Sequence, residues 1–259
     1  MDNDFDKFKK QISPLIGLDL FQYKSKQMER RILSFMTRAK LNTFDEFYQQ
    51  LKADKDLLNK FVNMLTINVS EFFRDQNRFE DLEKIYLPEI KKHTRGKIKL
   101  WSAGCSIGAE VYTVAMILDQ NNMLAECTLH ASDFDTTILE KAKSGIFNNV
   151  EVGTVKKGYE KYFEKIDDKN YQIIKKLRDK IVFKRQDLLT DRFEKDYNLI
   201  LCRNVVIYFT DEAKNTLYKK FYDSLANHGI LFVGSTERIL NYKDIGYNLK
   251  THFFYEKNV

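Results

Sequence analysis

Proline and glycine are scarce, 2 and 10 in 259 residues, which excludes a collagen-like or linker-rich chain. Cysteine is too rare for a disulfide framework, with 3 residues, an odd number. The 4 histidines, His93, His130, His228 and His252, are scattered, and no Cys/His pair has metal-ligand spacing, so no metal is expected. No apolar run approaches the roughly 20 residues of a membrane span. The start, Met1-Asp2-Asn3-Asp4-Phe5-Asp6, is acidic and lacks the apolar stretch of a signal peptide. The G-x-x-x-x-G-K-S/T loop that cradles nucleoside triphosphates is missing. Together these absences predict a soluble, cytoplasmic chain with no direct membrane insertion. Aromatic residues, by contrast, are plentiful: 20 Phe and 14 Tyr exclude a disordered chain and promise a packed core. Lys and Arg (43) exceed Asp and Glu (37), for a net charge of +6 that permits an acidic partner without naming one.

Two textures divide the chain. Residues 1–82 read as consecutive amphipathic helices. Met28, Ile32, Phe35, Met36 and Ala39 fall on one helical face, as do Phe44, Phe47, Tyr48 and Leu51, and then Leu57, Leu58, Phe61, Val62 and Leu65. Thr43-Phe44-Asp45-Glu46 has the pattern of a capping box. Residues 83–96 read as a linker. From 97 to 259, short β-branched runs alternate with helical runs, the mark of a parallel α/β sheet. Strands are expected at Ile98–Trp101, Cys127–Ser132, Ile181–Phe183, Asn198–Cys202, Ile230–Gly234 and His252–Tyr255. Between Tyr159 and Lys180 a small hairpin interrupts this alternation, within an antiparallel insert spanning about residues 146–182.

The chemistry concentrates at three places. The first strand runs into Ser102-Ala103-Gly104-Cys105-Ser106-Ile107-Gly108 and a helix, and the second strand ends at Asp133. In doubly wound sheets ligands bind beyond the carboxyl ends of the strands, and an acid there can accept from both hydroxyls of a ribose. The Gly104-x-x-x-Gly108 spacing alone fits a plain strand–turn–helix corner equally well; Asp133 tilts it toward an adenosine-type ligand. Leu65 to Asp75 gathers polar Asn68, Ser70 and Arg74 beside apolar residues. Cys202 to Phe209 carries Arg203, Asn204 and Tyr208 off the end of a strand. Taken singly, each of the last two also suits an ordinary structural segment.

Taken together, these clusters resemble the CheR chemotaxis receptor methyltransferases. Leu65–Asp75, Trp101 through Glu110 and Tyr112, Ala131–Asp135 with Leu139–Ala142, Cys202–Phe209 and Gly234-Ser235-Thr236-Glu237 follow in the family's order and cover nearly the whole chain. The resemblance implies a small all-helical N-terminal receptor-docking domain plus a doubly wound Rossmann-like S-adenosylmethionine-dependent domain with a small antiparallel insert. It implies methyl transfer from S-adenosyl-L-methionine to glutamate carboxylates on the cytoplasmic helices of chemoreceptors, with S-adenosyl-L-homocysteine as product. Asn68, Ser70, Arg74, Glu110, Asp133, Asp187, Leu188, Arg203 and Asn204 would line the cofactor site, with Asp133 on the ribose and Asp187-Leu188 beside the adenine. Arg74 and Tyr208 would lie nearest the reacting methyl.

The chain departs from the family where Gly108-Ala109-Glu110-Val111 replaces Gly-Glu-Glu-Pro, where Ser70 replaces Thr, and where Asp187 replaces Asn. Lys24, Arg31 and Arg38, seven residues apart with Arg30 nearby, form a basic stripe expected to meet the glutamate-rich receptor helix. A monomer is expected. A nucleic-acid methyltransferase is the nearest alternative, but Asn204-Val205-Val206-Ile207-Tyr208 lacks proline and no basic run is interleaved with aromatics. A cofactor-binding sensor or scaffold without activity is the other, supported by Ala109 and Val111.

Overall fold

The three amphipathic stripes fold as α2 (Ser25–Arg38), α3 (Phe44–Ala53) and α4 (Lys55–Leu65), preceded by a further helix, α1 (Asp2–Ile16). Met28, Ile32, Met36, Phe47, Leu51, Phe61 and Leu65 are buried, as the helical spacing requires. Phe47 sits 5.4 Å from Phe8 and 5.2 Å from Phe61, so aromatic rings make the centre of this unit. Thr43 caps α3 by accepting from the Glu46 N–H at 3.2 Å. The return bond differs from the capping box expected: Glu46 accepts from the Asn42 N–H, one residue earlier. The computed structural model describes residues 2–66 and 70–258, so Asn68 lies outside the described residues. It divides into two compact units, Met1–Ile67 with Tyr208–Thr216, and Asn68–Ile207 with Leu217–Val259.

The segment at 208–216 completes the helical unit. Lys24 N–H donates to the Tyr208 carbonyl at 2.9 Å, and Thr210 N–H donates to the Gln22 carbonyl at 2.8 Å. Tyr23 and Phe209 meet edge to face at 5.1 Å.

The second unit begins with a correction. Residues 83–96, read as a linker, are mostly helical: α5 (Gln76–Asp81) passes through a π-helical turn (Leu82–Tyr86) into α6 (Leu87–His93). Leu82, Tyr86, Leu87 and Ile90 are all buried, and their helical spacing is the physical reason for the helix. There follow β1 (Ile98–Ala103), α7 (Ala109–Gln120), β2 (Cys127–Asp133), α8 (Thr136–Ser144), β3 (Ile146–Asn148) and α9 (Asn149–Val152). Next come β4 (Phe163–Lys165), β5 (Asn170–Ile173), α10 (Lys175–Arg178), β6 (Ile181–Arg185) and β7 (Tyr197–Cys202). The chain ends with α11 (Asp211–Ser224), β8 (Leu225–Val233), α12 (Tyr242–Ile245), β9 (Tyr247–Thr251) and β10 (Phe254–Lys257).

Seven strands make one sheet in the order β6-β2-β1-β7-β8-β10-β9. The first five are parallel, and β10 is antiparallel to both β8 and β9. The strand expected at His252–Tyr255 is thus a hairpin, with the chain reversing at His252 and Phe253. Strand order reverses between β1 and β7, which marks the carboxyl edge there as the ligand-binding position of a doubly wound sheet. The insert is a three-stranded antiparallel sheet, β3-β5-β4. It ends before Ile181, because Ile181 and Val182 pair with Leu129 and His130 in the large sheet. Asp167 holds the β4–β5 turn by accepting from the N–H groups of Lys169 and Asn170 at 2.7 and 2.9 Å. Tyr86, Phe254 and Phe232 stack in sequence, with centroids 3.9 and 4.3 Å apart, and join the N-terminal helices of the unit to its sheet.

Candidate active site at the carboxyl edge of the sheet

The loop after β1 is built for close backbone approach. Gly104 (φ +78°) and Gly108 (φ +86°) are left-handed, and a Cβ on Gly104 would stand 2.6 Å from a Val205 methyl. Ser106 is also left-handed, at φ 51°. Asp133, the last residue of β2, fixes this loop: its carboxylate accepts from Ser106 N–H at 2.8 Å and from Asp135 N–H at 3.0 Å. Burial holds its carboxyl above the usual range. Each oxygen keeps a lone pair for a further donor. Asp135 caps α8 by accepting from Thr137 and Ile138 N–H groups.

Glu110, one residue into α7, accepts from the Ser102 hydroxyl at 2.7 Å. Burial raises its pKa, with the Arg203 charge acting in the opposite direction. Arg203, at the end of β7, has a side chain only 3% exposed and meets Glu110 at 3.4 Å and Asp75 at 2.6 Å. It also donates to the Arg74 carbonyl at 2.9 Å, and it lies over the rings of Phe79 and Phe232. The guanidinium is therefore a strut that joins the segment at Arg74 to the ends of β1 and β7. Arg74 itself is half-buried, and its charge also reaches Glu110. Ser70 is half-buried.

Asn204 is left-handed at φ 60°. It is held by Glu237, which the sequence showed only as part of a family block with no role. The Glu237 carboxylate, 3% exposed, accepts from the N–H groups of Asn204 (2.6 Å), Gly234 (2.8 Å) and Val206 (2.9 Å). Burial raises its pKa, opposed by these backbone hydrogen bonds. Nothing in its immediate sequence announces this nest, whose donors come from two loops about thirty residues apart.

Asp187 and Leu188 are buried in the loop after β6. Asp187 accepts from Leu189 N–H at 2.8 Å, and Gln186 N–H donates to the Asp133 carbonyl at 2.9 Å, so this loop and the β2 end are neighbours. Tyr208 belongs to the helical unit, where it lines a small cleft with Tyr23, Met28, Arg31 and Leu65. Arg31 donates to the Met64 carbonyl there, and burial lowers its pKa. Lys24, Arg30 and Arg38 are exposed, so the middle member of the predicted stripe is engaged inward while its neighbours are free to solvent.

Among the described residues no cluster of His, Cys, Asp or Glu could hold a metal, and no helix is long and apolar enough to cross a membrane. Cys105 and Cys202 are buried with thiol pKa values pushed well up by burial, which disfavours a nucleophilic role. The parallel core with an antiparallel last pair, the glycine loop after β1 and the acid ending β2 define a Rossmann-like S-adenosylmethionine-dependent methyltransferase. Within that class the chain belongs to the CheR methyltransferase family: residues 3–66 match its all-alpha domain and residues 68–254 its SAM-binding domain. It is 43% identical to a chemotaxis protein methyltransferase of Listeria monocytogenes, over 99% of this chain and 98% of the relative. Its likeness to those of Listeria innocua (42%; 99% and 98%) and Borreliella burgdorferi (28%; 93% and 89%) also spans most of each chain.

The residues fit the cofactor. Among the described residues, the buried Ser106 hydroxyl and Arg203 Nε have no hydrogen-bond partner, and no side chain caps the start of α7. Asp133, Glu110 and Asp187 are carboxylates that could accept from the hydroxyl and amino groups of such a cofactor.

Proposed function

We propose that the chain methylates glutamate side chains on the helical cytoplasmic region of chemoreceptors, giving γ-glutamyl methyl esters, and that it works as a cytoplasmic monomer. The observation that carries this reading is the match to both parts of the family, the helical part (3–66) as well as the cofactor-binding part (68–254). The relatives are named chemotaxis protein methyltransferases, which supports a chemoreceptor as the substrate.

When bound, S-adenosylmethionine supplies an electrophilic methyl on a sulfonium. A glutamate is ionised at neutral pH, with a reference pKa of about 4.3, so it attacks without a strong general base. The protein's task is alignment and exclusion of water, because charge is partly neutralised in the transition state and water favours the separated ions. Asp133 would hold the ribose hydroxyls and Asp187 with Leu188 the adenine. Asn68, Ser70, Glu110, Arg203 and Asn204 would complete the cofactor site, Arg203 by bracing the others. Arg74 would orient the substrate carboxylate or the cofactor, and Tyr208 would shape the methyl channel. Lys24, Arg30, Arg31 and Arg38 would receive the acidic receptor helix.

Incubation with methyl-labelled cofactor and bacterial membranes containing chemoreceptors tests this reading. Base-labile label on receptors is expected. Label in nucleic acid, or cofactor binding with no transfer at all, would replace it with one of the two alternatives.

A further inference from the structure

The loop that follows β6 is fastened from behind by one lysine. Lys220, on α11, points its ammonium at three backbone carbonyls: Leu188 at 2.8 Å, Leu189 at 3.0 Å and Asp191 at 2.9 Å. An ammonium has three N–H donors, and all three are used. The group also lies 4.2 Å over the Phe193 ring. Burial lowers its pKa, with Asp187 and Asp191 acting in the opposite direction. The loop contributes its own ties: Asp187 N–H donates to the Asp191 carboxylate at 2.9 Å, and Gln186 donates to the Arg192 carbonyl at 3.1 Å. These local bonds close the turn. Among the described residues only Lys220 donates a side-chain hydrogen bond from a long helix to its inner carbonyls, which gives the turn a fixed position.

We propose that Lys220 is a positioning residue for adenine recognition, holding Asp187 where its carboxylate accepts from the exocyclic amino group of the base. The inference rests on the placement of Asp187 and Leu188 beside the adenine. Three carbonyl oxygens converging on one point suit a compact tetrahedral ammonium, whereas a planar guanidinium or an amide cannot serve all three. Lys220 makes no contact with the cofactor in this scheme. Its effect is confined to how well the loop tells an amino group from a carbonyl.

The test is calorimetric binding to the full chain of S-adenosylhomocysteine and S-inosylhomocysteine, which carries a carbonyl in place of the amino group. The unsubstituted protein is expected to prefer the adenosyl form. Lys220→Met removes the three donors at similar volume; it should lower adenosyl affinity about tenfold, the scale of one hydrogen bond lost to the base, and shrink the preference. Lys220→Gln keeps two donors on a shorter, planar amide and should fall between, which covers the case in which the Met variant folds poorly. A preference unchanged in both variants overturns the role of Lys220, even if affinity falls for both ligands alike. Asp133→Ala separates the underlying placement: if it binds S-adenosylhomocysteine as tightly as the unsubstituted chain, the cofactor site itself is misassigned.

Discussion

Arg74 and Glu237 show how differently two polar residues can serve one site. Arg74 is half-buried beside Glu110, and its carbonyl is held by Arg203. Its side chain is the part left for chemistry. Arg74→Ala, like Tyr208→Phe in the other unit, should lower kcat with little change in thermal midpoint; unchanged turnover in both would remove their catalytic assignment. Glu237 is the opposite case. Its carboxylate satisfies three backbone donors in the interior, and Glu237→Ala leaves them unpaired, at about 1–3 kcal/mol for a buried group left without a partner. Denaturant melts should show that loss, with cofactor affinity falling too because Asn204 is released. The residue scale is also where the sequence was least legible. Asp133 declared itself by standing at the end of a strand, but Glu237 and Lys220 look like any loop or helix charge, and only the folded chain brings carbonyls or N–H groups from elsewhere onto them.

At the scale of the element, periodicity was a sound guide for α2, α3 and α4, each of which buries one face. Strands β1 and β7 were legible for the converse reason: buried almost throughout, they appear as short apolar runs. Two failures have physical causes. Residues 83–96 carry Lys, Glu and Pro on the surface side and looked like a connection, yet Pro88 sits where the π-helical turn passes into α6, and the buried face of Leu82, Tyr86, Leu87 and Ile90 keeps the helix continuous across it. Strand β9 (Tyr247–Thr251) was missed and the last strand was placed across the turn, because the two-residue reversal at His252 and Phe253 has no glycine or proline to mark it. Helix α2 carries a prediction of its own. Arg30 and Arg38 are exposed, whereas Arg31 is tied to the Met64 carbonyl. Arg30→Glu with Arg38→Glu should raise the KM for receptor several-fold at low salt, leave the Kd of the cofactor unchanged and lose its effect as salt screens the charges. An unaltered KM at low salt would make the stripe ordinary surface.

Across the whole molecule, two populations of carboxyl groups respond to acid in opposite ways. Burial raises Asp133, Glu110 and Glu237, so folding favours their protonated forms. Such groups contribute stability in full below their unfolded values, about 4, and lose it as pH rises through the folded ones. Glu194 is lowered by its hydrogen bond to Lys99, and Glu80 is held at about 2 by hydrogen bonds from Lys156 and Gln76. These contribute above about 4 and fail as pH falls through their lowered values. Acidification should therefore discharge Asp133 and Glu110 before it reaches the exposed carboxylates, while the fold persists. S-adenosylmethionine, carrying the sulfonium charge, should lose affinity more steeply than S-adenosylhomocysteine, with circular dichroism unchanged; parallel losses for the two ligands would count against these acids facing the cofactor. The return of residues 208–216 to the helical unit bears on synthesis at the ribosome. The four helices emerge first, but the strand-like pairing of Tyr23 with Phe209 waits until most of the other unit has been made. The first part to be translated is thus among the last to be finished, and a fragment stopping near residue 66 would lack a piece of its own interior.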